Sequence, residues 1–136
     1  MSRENLDLVL RALRAVAREP DPDIETINEV FHPDHVFRPV ETDKLGEAEV
    51  KGALGYRDWR KSIASVTPWH MELEGAIDIG PSTVLAVVTL TARGTRSGAA
   101  LGQRTWLLVR IAHGKVIRTE AYFDPAEALE VARSGS

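Results

Sequence analysis

At 136 residues, 43% hydrophobic and 27% charged with a net charge of −3, the chain suits one self-supporting domain over 1–136 rather than a disordered tail. Its 17 lysines and arginines are scattered, which excludes the basic stripe that nucleic-acid binding needs; the lack of cysteine removes disulfides, thiolate metal sites and a cysteine nucleophile together, and fits a cytoplasmic location. The longest wholly apolar run is 84–88, far below the roughly 20 residues of a membrane span, so no membrane partner and no signal-peptide core is expected.

Leu6, Val9, Leu10, Leu13, Val16 and Ala17 recur at helical spacing, and Pro20 ends the run. Asp21 reads as the cap of a second helix, with Pro22 in the tolerated first position, Ile24, Ile27, Val30 and Phe31 as its apolar stripe, and Pro33 as its stop. Residues 35–40 alternate like a short strand, and 41–52 are polar and glycine-punctuated like a loop. A third helix is expected over 53–66, where Tyr56, Trp59, Ile63 and Val66 share a face, before Pro68.

Beyond Pro68 the period changes from helix to sheet. Trp69, Met71, Leu73, Gly75, Ile77 and Ile79 alternate with His70, Glu72, Glu74 and Asp78, as in a half-buried strand. Gly80-Pro81-Ser82 turns the chain into strands over 84–95 and 101–112, joined by a glycine-flanked connection over 94–98. His113-Gly114 turns it again into a closing strand, 116–123, which runs into Asp124-Pro125 and a short amphipathic helix folding back over one end. Strands in sequence joined by short turns imply an antiparallel meander, and helices kept apart from strands imply an α+β architecture.

The stretches 30–36, 51–59, 75–80, 113–116 and 122–129 occur in an order that resembles the SnoaL-like, ketosteroid isomerase-like branch of the nuclear transport factor 2 superfamily. The resemblance implies a cone: a curved antiparallel sheet wrapped around about three N-terminal helices, a short C-terminal helix, an apolar pocket between helices and sheet, and a homodimer packed through the sheet. It also implies where the chemistry of the relatives would fall. The steroid-isomerase base would sit at Arg38 or its neighbour, the oxyanion tyrosine near Ala15, and the partner aspartate near Leu107. An epoxide-hydrolase triad would need carboxylates and an arginine near Thr91, Arg93 and Ala121. None of these roles is filled by the residue type it needs.

What remains is a pocket without the usual base. Phe37, Tyr56, Trp59, Trp69 and Phe123 are its candidate walls, Arg38, Thr91 and Arg93 its candidate polar anchors, and Thr119 and Ala121 the positions of the closing strand that the resemblance turns toward it. Three residues stand as weak catalytic candidates. His35 can act as a base at the rim, because an ordinary histidine titrates near neutrality. Glu120 shares with Tyr122 the parity that the resemblance turns away from the pocket, and Asp124 reads better as a helix cap than as an acid. His32 and His35 flank Pro33-Asp34, yet no second pair lies at ligand spacing, so no metal and no cofactor is expected. His70 and His113 read as solvated. The reading is a domain that binds a small apolar organic molecule, in which any catalysis would be isomerase-, cyclase- or hydratase-type acid–base chemistry by an unrecognised set of residues. The alternative is a non-enzymatic dimeric module using the outer sheet face for protein interaction.

Overall fold

The apolar spacing of the N-terminus forms the first helix, α1 (Ser2–Ala17). Its inward stripe is Val9, Ala12, Leu13 and Val16, all at most 6% exposed, each large side chain contributing about 1.5–3 kcal/mol by leaving water. The computed structural model describes residues 2–18, 22–38, 50–52, 69–93 and 100–134. The helix expected over 53–66, with Tyr56 and Trp59, therefore lies outside the described residues, as do 41–49 and 94–99.

The second helix, α2 (Ile24–Val30), starts two residues later than Asp21 predicts, because its cap is Asp23. One carboxylate oxygen of Asp23 accepts from the Thr26 amide at 3.2 Å and the other from the Thr26 hydroxyl at 2.7 Å. Both bonds hold the carboxyl below its ordinary pKa. The Asp23 amide donates to the Ala15 carbonyl at 2.8 Å, tying the start of α2 to the end of α1.

Pro33 does not stop α2. The chain turns extended already at Phe31, with φ −94° and ψ 140°, and Pro33 lies inside the strand β1 (Phe31–Arg38). A proline is tolerated there because the pairing of β1 with its neighbour slips between Phe31 and Val36, where the missing N–H leaves no regular ladder bond open.

The remaining strands are β2 (Val50–Lys51), β3 (Trp69–Gly80), β4 (Thr83–Arg93), β5 (Ala100–Ala112) and β6 (Lys115–Tyr122), followed by α3 (Pro125–Ser134). They form one six-stranded sheet in the order β2-β1-β6-β5-β4-β3. The meander from β3 to β6 is antiparallel throughout. The sheet as a whole is mixed, not antiparallel, since β1 runs parallel to β6. These two strands are joined through most of the chain rather than by a hairpin, which leaves their relative direction free.

Alternation along β4 sorts the two faces. Val84, Ala86 and Val88 are fully buried in the main core with α1, α2, Leu107, Val109 and Val116; this is the inner face. Leu85 and Leu108 point the other way and pack with Trp106, Tyr122 and Ile79 against Ala128, Leu129, Val131 and Ala132 of α3. The C-terminal helix thus covers part of the outer face instead of closing the inner one.

The expected single alternation along β3 also breaks. Leu73 pairs with Val88 and Gly75 with Val87, so Glu74 is an extra residue that inverts the parity. Met71, Leu73 and Ala76 join the inner core, whereas Ile79 packs under α3 and Ile77 is 59% exposed. Glu74 uses the bulge to accept from the Thr89 hydroxyl and to pair with Arg104 at 3.0 Å.

Candidate functional site

The parallel pairing of β1 with β6 sets Phe37 beside Thr119 and Arg38 beside Glu120, while β5 sets Val109 beside Thr119 and Leu107 beside Ala121. Because side chains alternate along a strand, Phe37, Thr119 and Ala121 share the inner face with His35, two residues before Phe37. Arg38, Arg118, Glu120 and Tyr122 share the outer one.

His35 is not at a rim. It is 2% exposed, its imidazole stacks on Phe31 with ring centroids 4.3 Å apart and planes inclined by 12°, and its Nε2 lies 3.2 Å from Thr119 Oγ1. Thr119 is itself 7% exposed. Among the described residues, Nδ1 of His35 is the buried side-chain polar atom left with no hydrogen-bond partner. Burial pulls the His35 pKa down to about 4, and the positive charge of Arg118 adds to the effect. At neutral pH this ring is uncharged, which makes it a weak base and a polar group in search of a partner. Such an orphan costs about 1–3 kcal/mol unless something beyond the described residues satisfies it.

The other candidates are distributed differently from the sequence expectation. Thr91 pairs with His70, which is exposed, and with Gly102; the unbroken register of β4 puts it on the outer face, opposite in parity to Val84, Ala86 and Val88. Arg38 is exposed on the outer face, where its charge reaches Tyr122. Phe123 follows the end of β6 and is 42% exposed, too open for an enclosed wall. Trp69 and Arg93 begin and end their strands, and their side chains lie outside the described residues.

Glu120 has the outward parity expected of it but is not solvated. It is 6% exposed and pairs with Arg118 Nε at 3.1 Å. Burial first, and then the negative charge of Glu120, push the Tyr122 hydroxyl above its ordinary pKa. Asp124 caps α3: its carboxylate accepts from the Ala126 amide at 2.9 Å, and its carbonyl from the Ala128 amide at 3.2 Å. His32 accepts from the Asp34 amide at 3.0 Å. No group of three or more metal-ligating side chains occurs among the described residues. A cleft of about 220 Å³ on the helical side is lined by Arg11, Arg14, Arg18 and Asp23, but Arg11 is bound to Glu29 at 2.6 Å and Arg18 lies 3.8 Å from Asp23.

Sequence reasoning missed Phe31 as a stacking platform and Thr105 as a buried polar residue of the inner face. Thr105 is 1% exposed and paired with Val88. Parity along β5 carried the signal for Thr105, which stands two residues before Leu107. Phe31 was obscured by fitting the helical stripe of α2 equally well.

No family model matches the sequence, and no curated protein matches it either. Solved structures do match. TerC, co-crystallised with polyporic acid, superposes with a TM-score of 0.73 at 21% identity, over 96% of this chain and 98% of its own. A protein from Jannaschia sp. CCS1 described as a SnoaL-like polyketide cyclase gives 0.70 at 16%, over 99% and 94%. RV0760c from Mycobacterium tuberculosis, in complex with estradiol-17β-hemisuccinate, gives 0.68 at 14%, over 93% and 97%. Others carry nuclear transport factor 2-like and ketosteroid isomerase-like descriptions. The fold is the α+β fold of these SnoaL-like, ketosteroid isomerase-like proteins. No helix among the described residues is long and apolar enough to cross a membrane.

Proposed function

We propose that this chain is a small-molecule-binding domain whose ligand lies against the inner face of the sheet, with Phe37 and Ala121 as apolar walls and the His35–Thr119 pair as its polar anchor. The observation that carries this reading is Nδ1 of His35, buried, unpartnered among the described residues and set among apolar side chains. A small-molecule site is mostly apolar with a few placed polar groups, and the inner face has that composition. Two proteins of the same fold were crystallised with organic ligands, polyporic acid and estradiol-17β-hemisuccinate. Arg38 and Thr91, on the outer face, take no part.

Native mass spectrometry of the purified protein tests it. The expected result is a retained organic molecule that is lost in His35→Phe and in Thr119→Val and kept in Arg38→Ala. Retention in both inner-face variants would move the site elsewhere.

The rival reading, an interaction module or homodimer using the outer face, rests on Ile77. This residue lies beside Leu85 and is 59% exposed where α3 does not reach. Analytical ultracentrifugation of the wild type and of Ile77→Lys tests whether this residue holds an assembly, and ligand retention measured beside it separates the two readings, since only the first requires a bound molecule.

A further inference from the structure

Which ring nitrogen of His35 carries the proton follows from counting hydrogens. The Thr119 hydroxyl has one hydrogen, and its contact with Nε2 is its one hydrogen bond among the described residues. If Nε2 were protonated and donated to Oγ1, the threonine hydrogen would be left without an acceptor, and Nδ1 would be a second unmet group. If the hydroxyl donates to Nε2, threonine is satisfied and a single unmet group remains, the N–H at Nδ1. The second arrangement leaves one orphan instead of two and is the favoured one. Stacking on Phe31 then fixes the ring plane and so the direction of that N–H.

We propose that His35 is held as the neutral Nδ1–H tautomer and that this N–H is a hydrogen-bond donor for the carbonyl oxygen of an uncharged ligand, such as a ketone, ester or quinone. The proposal rests on the inner-face reading above and narrows it to a ligand class. An alcohol that only donates finds no acceptor at Nδ1. A carboxylate brings roughly four acceptor sites and a full charge to a buried place where one N–H waits on a ring stacked against Phe31. The nearby cation, Arg118, is engaged with Glu120 from the other face of β6. An ammonium group would meet a donor rather than an acceptor.

The test has two independent arms. In protein carrying ¹⁵N-histidine at pH 7, the His35 ring is expected to show a protonated Nδ1 and an unprotonated Nε2. A protonated Nε2, or an imidazolium, overturns the tautomer assignment whatever the ligand. In the second arm, calorimetry compares three probes of one shape: 2-acetylnaphthalene, 2-ethylnaphthalene and 2-naphthoate. The acetyl compound is expected to bind roughly three- to tenfold tighter than the ethyl compound, the range one hydrogen bond gives. It is also expected to shift the Nδ1 proton downfield and to bind more tightly than naphthoate. Thr119→Val, which leaves the ring in place but removes the hydroxyl that sets its tautomer, is expected to narrow the acetyl preference, and His35→Phe to abolish it. Equal binding of acetyl and ethyl probes, or tightest binding of naphthoate, overturns the ligand class while leaving the inner face as a site. If none of the three binds, the inner-face reading fails and the ligand class falls with it, while the ¹⁵N result still decides the tautomer.

Discussion

The imidazole of His35 lies flat against Phe31, 4.3 Å between ring centres, although the two residues belong to one strand whose pairing slips between them. The slip is what brings them into contact. In a regular strand, residues four apart stand about 13 Å from each other, whereas across this slip the two rings stack. The contact shields the imidazole, and that shielding has a measurable price in acid.

Folded His35 takes up its proton at about 4, an exposed histidine near 6.5. Between those values the unfolded chain holds the extra proton, so stability falls as the pH falls. The contribution is whole above 6.5 and is lost as the pH drops through 4. Its size is on the order of 3 kcal/mol over the full window. Urea titrations at pH 7 and pH 5 are expected to differ by about 2 kcal/mol from this group. In His35→Phe that part of the pH dependence is expected to vanish.

The cap of α2 offers a smaller, local effect. Asp23 satisfies the Thr26 amide and hydroxyl together, so Asp23→Ala is expected to lower the melting temperature by roughly a few degrees. Asp23→Asn, which keeps an acceptor, is expected to lose less. Thermal melts of the two variants compare them directly. Asp21→Ala, at the position that the proline pattern favours as the cap, is expected to change little.

Much of the sheet was legible because its inner residues are apolar and its period is two. Met71 and Leu73 against His70 and Glu72 is one example, and the same rule applied to β1 places His35 with Phe37 and sends Arg38 to the other face. Arg38 and Thr91 were assigned by analogy with related sites, and parity alone argues against both. Other features left no local trace. The Glu74 bulge is hidden because Gly75 fits either parity, and the parallel pairing of β1 depends on a neighbour some eighty residues away. Whether His35 is buried depends on Phe31, Thr119 and the strand slip together, which no single stretch of sequence encodes.

The packing of α3 predicts a separable unit. Leu108 is fully buried between the sheet and Ala128, itself fully buried. Leu108→Ala is expected to cost about 2–5 kcal/mol. Because the side chain faces away from His35, the variant is also expected to speed hydrogen exchange in α3 while leaving ligand retention unchanged. Lost retention with α3 protection intact would place the ligand on the outer face.

The hairpin between β5 and β6 isolates a purely backbone effect. His113 and Gly114 have φ of 55° and 73°, the pair of positive values that a two-residue turn between twisted strands requires. Glycine adopts this conformation freely, asparagine fairly readily, and histidine at a cost. His113→Asn is therefore expected to stabilise the domain by about 0.5–1 kcal/mol, and Gly114→Ala to destabilise it by about 1–2 kcal/mol. A Cβ built on Gly114 meets no atom of the rest of the fold within 4 Å, so the alanine penalty involves no tertiary clash and reports the local left-handed backbone alone. Chemical denaturation of both variants checks the pair. An unchanged Gly114→Ala would mean that the turn relaxes to a different type at no cost, and His113→Asn would then gain nothing either.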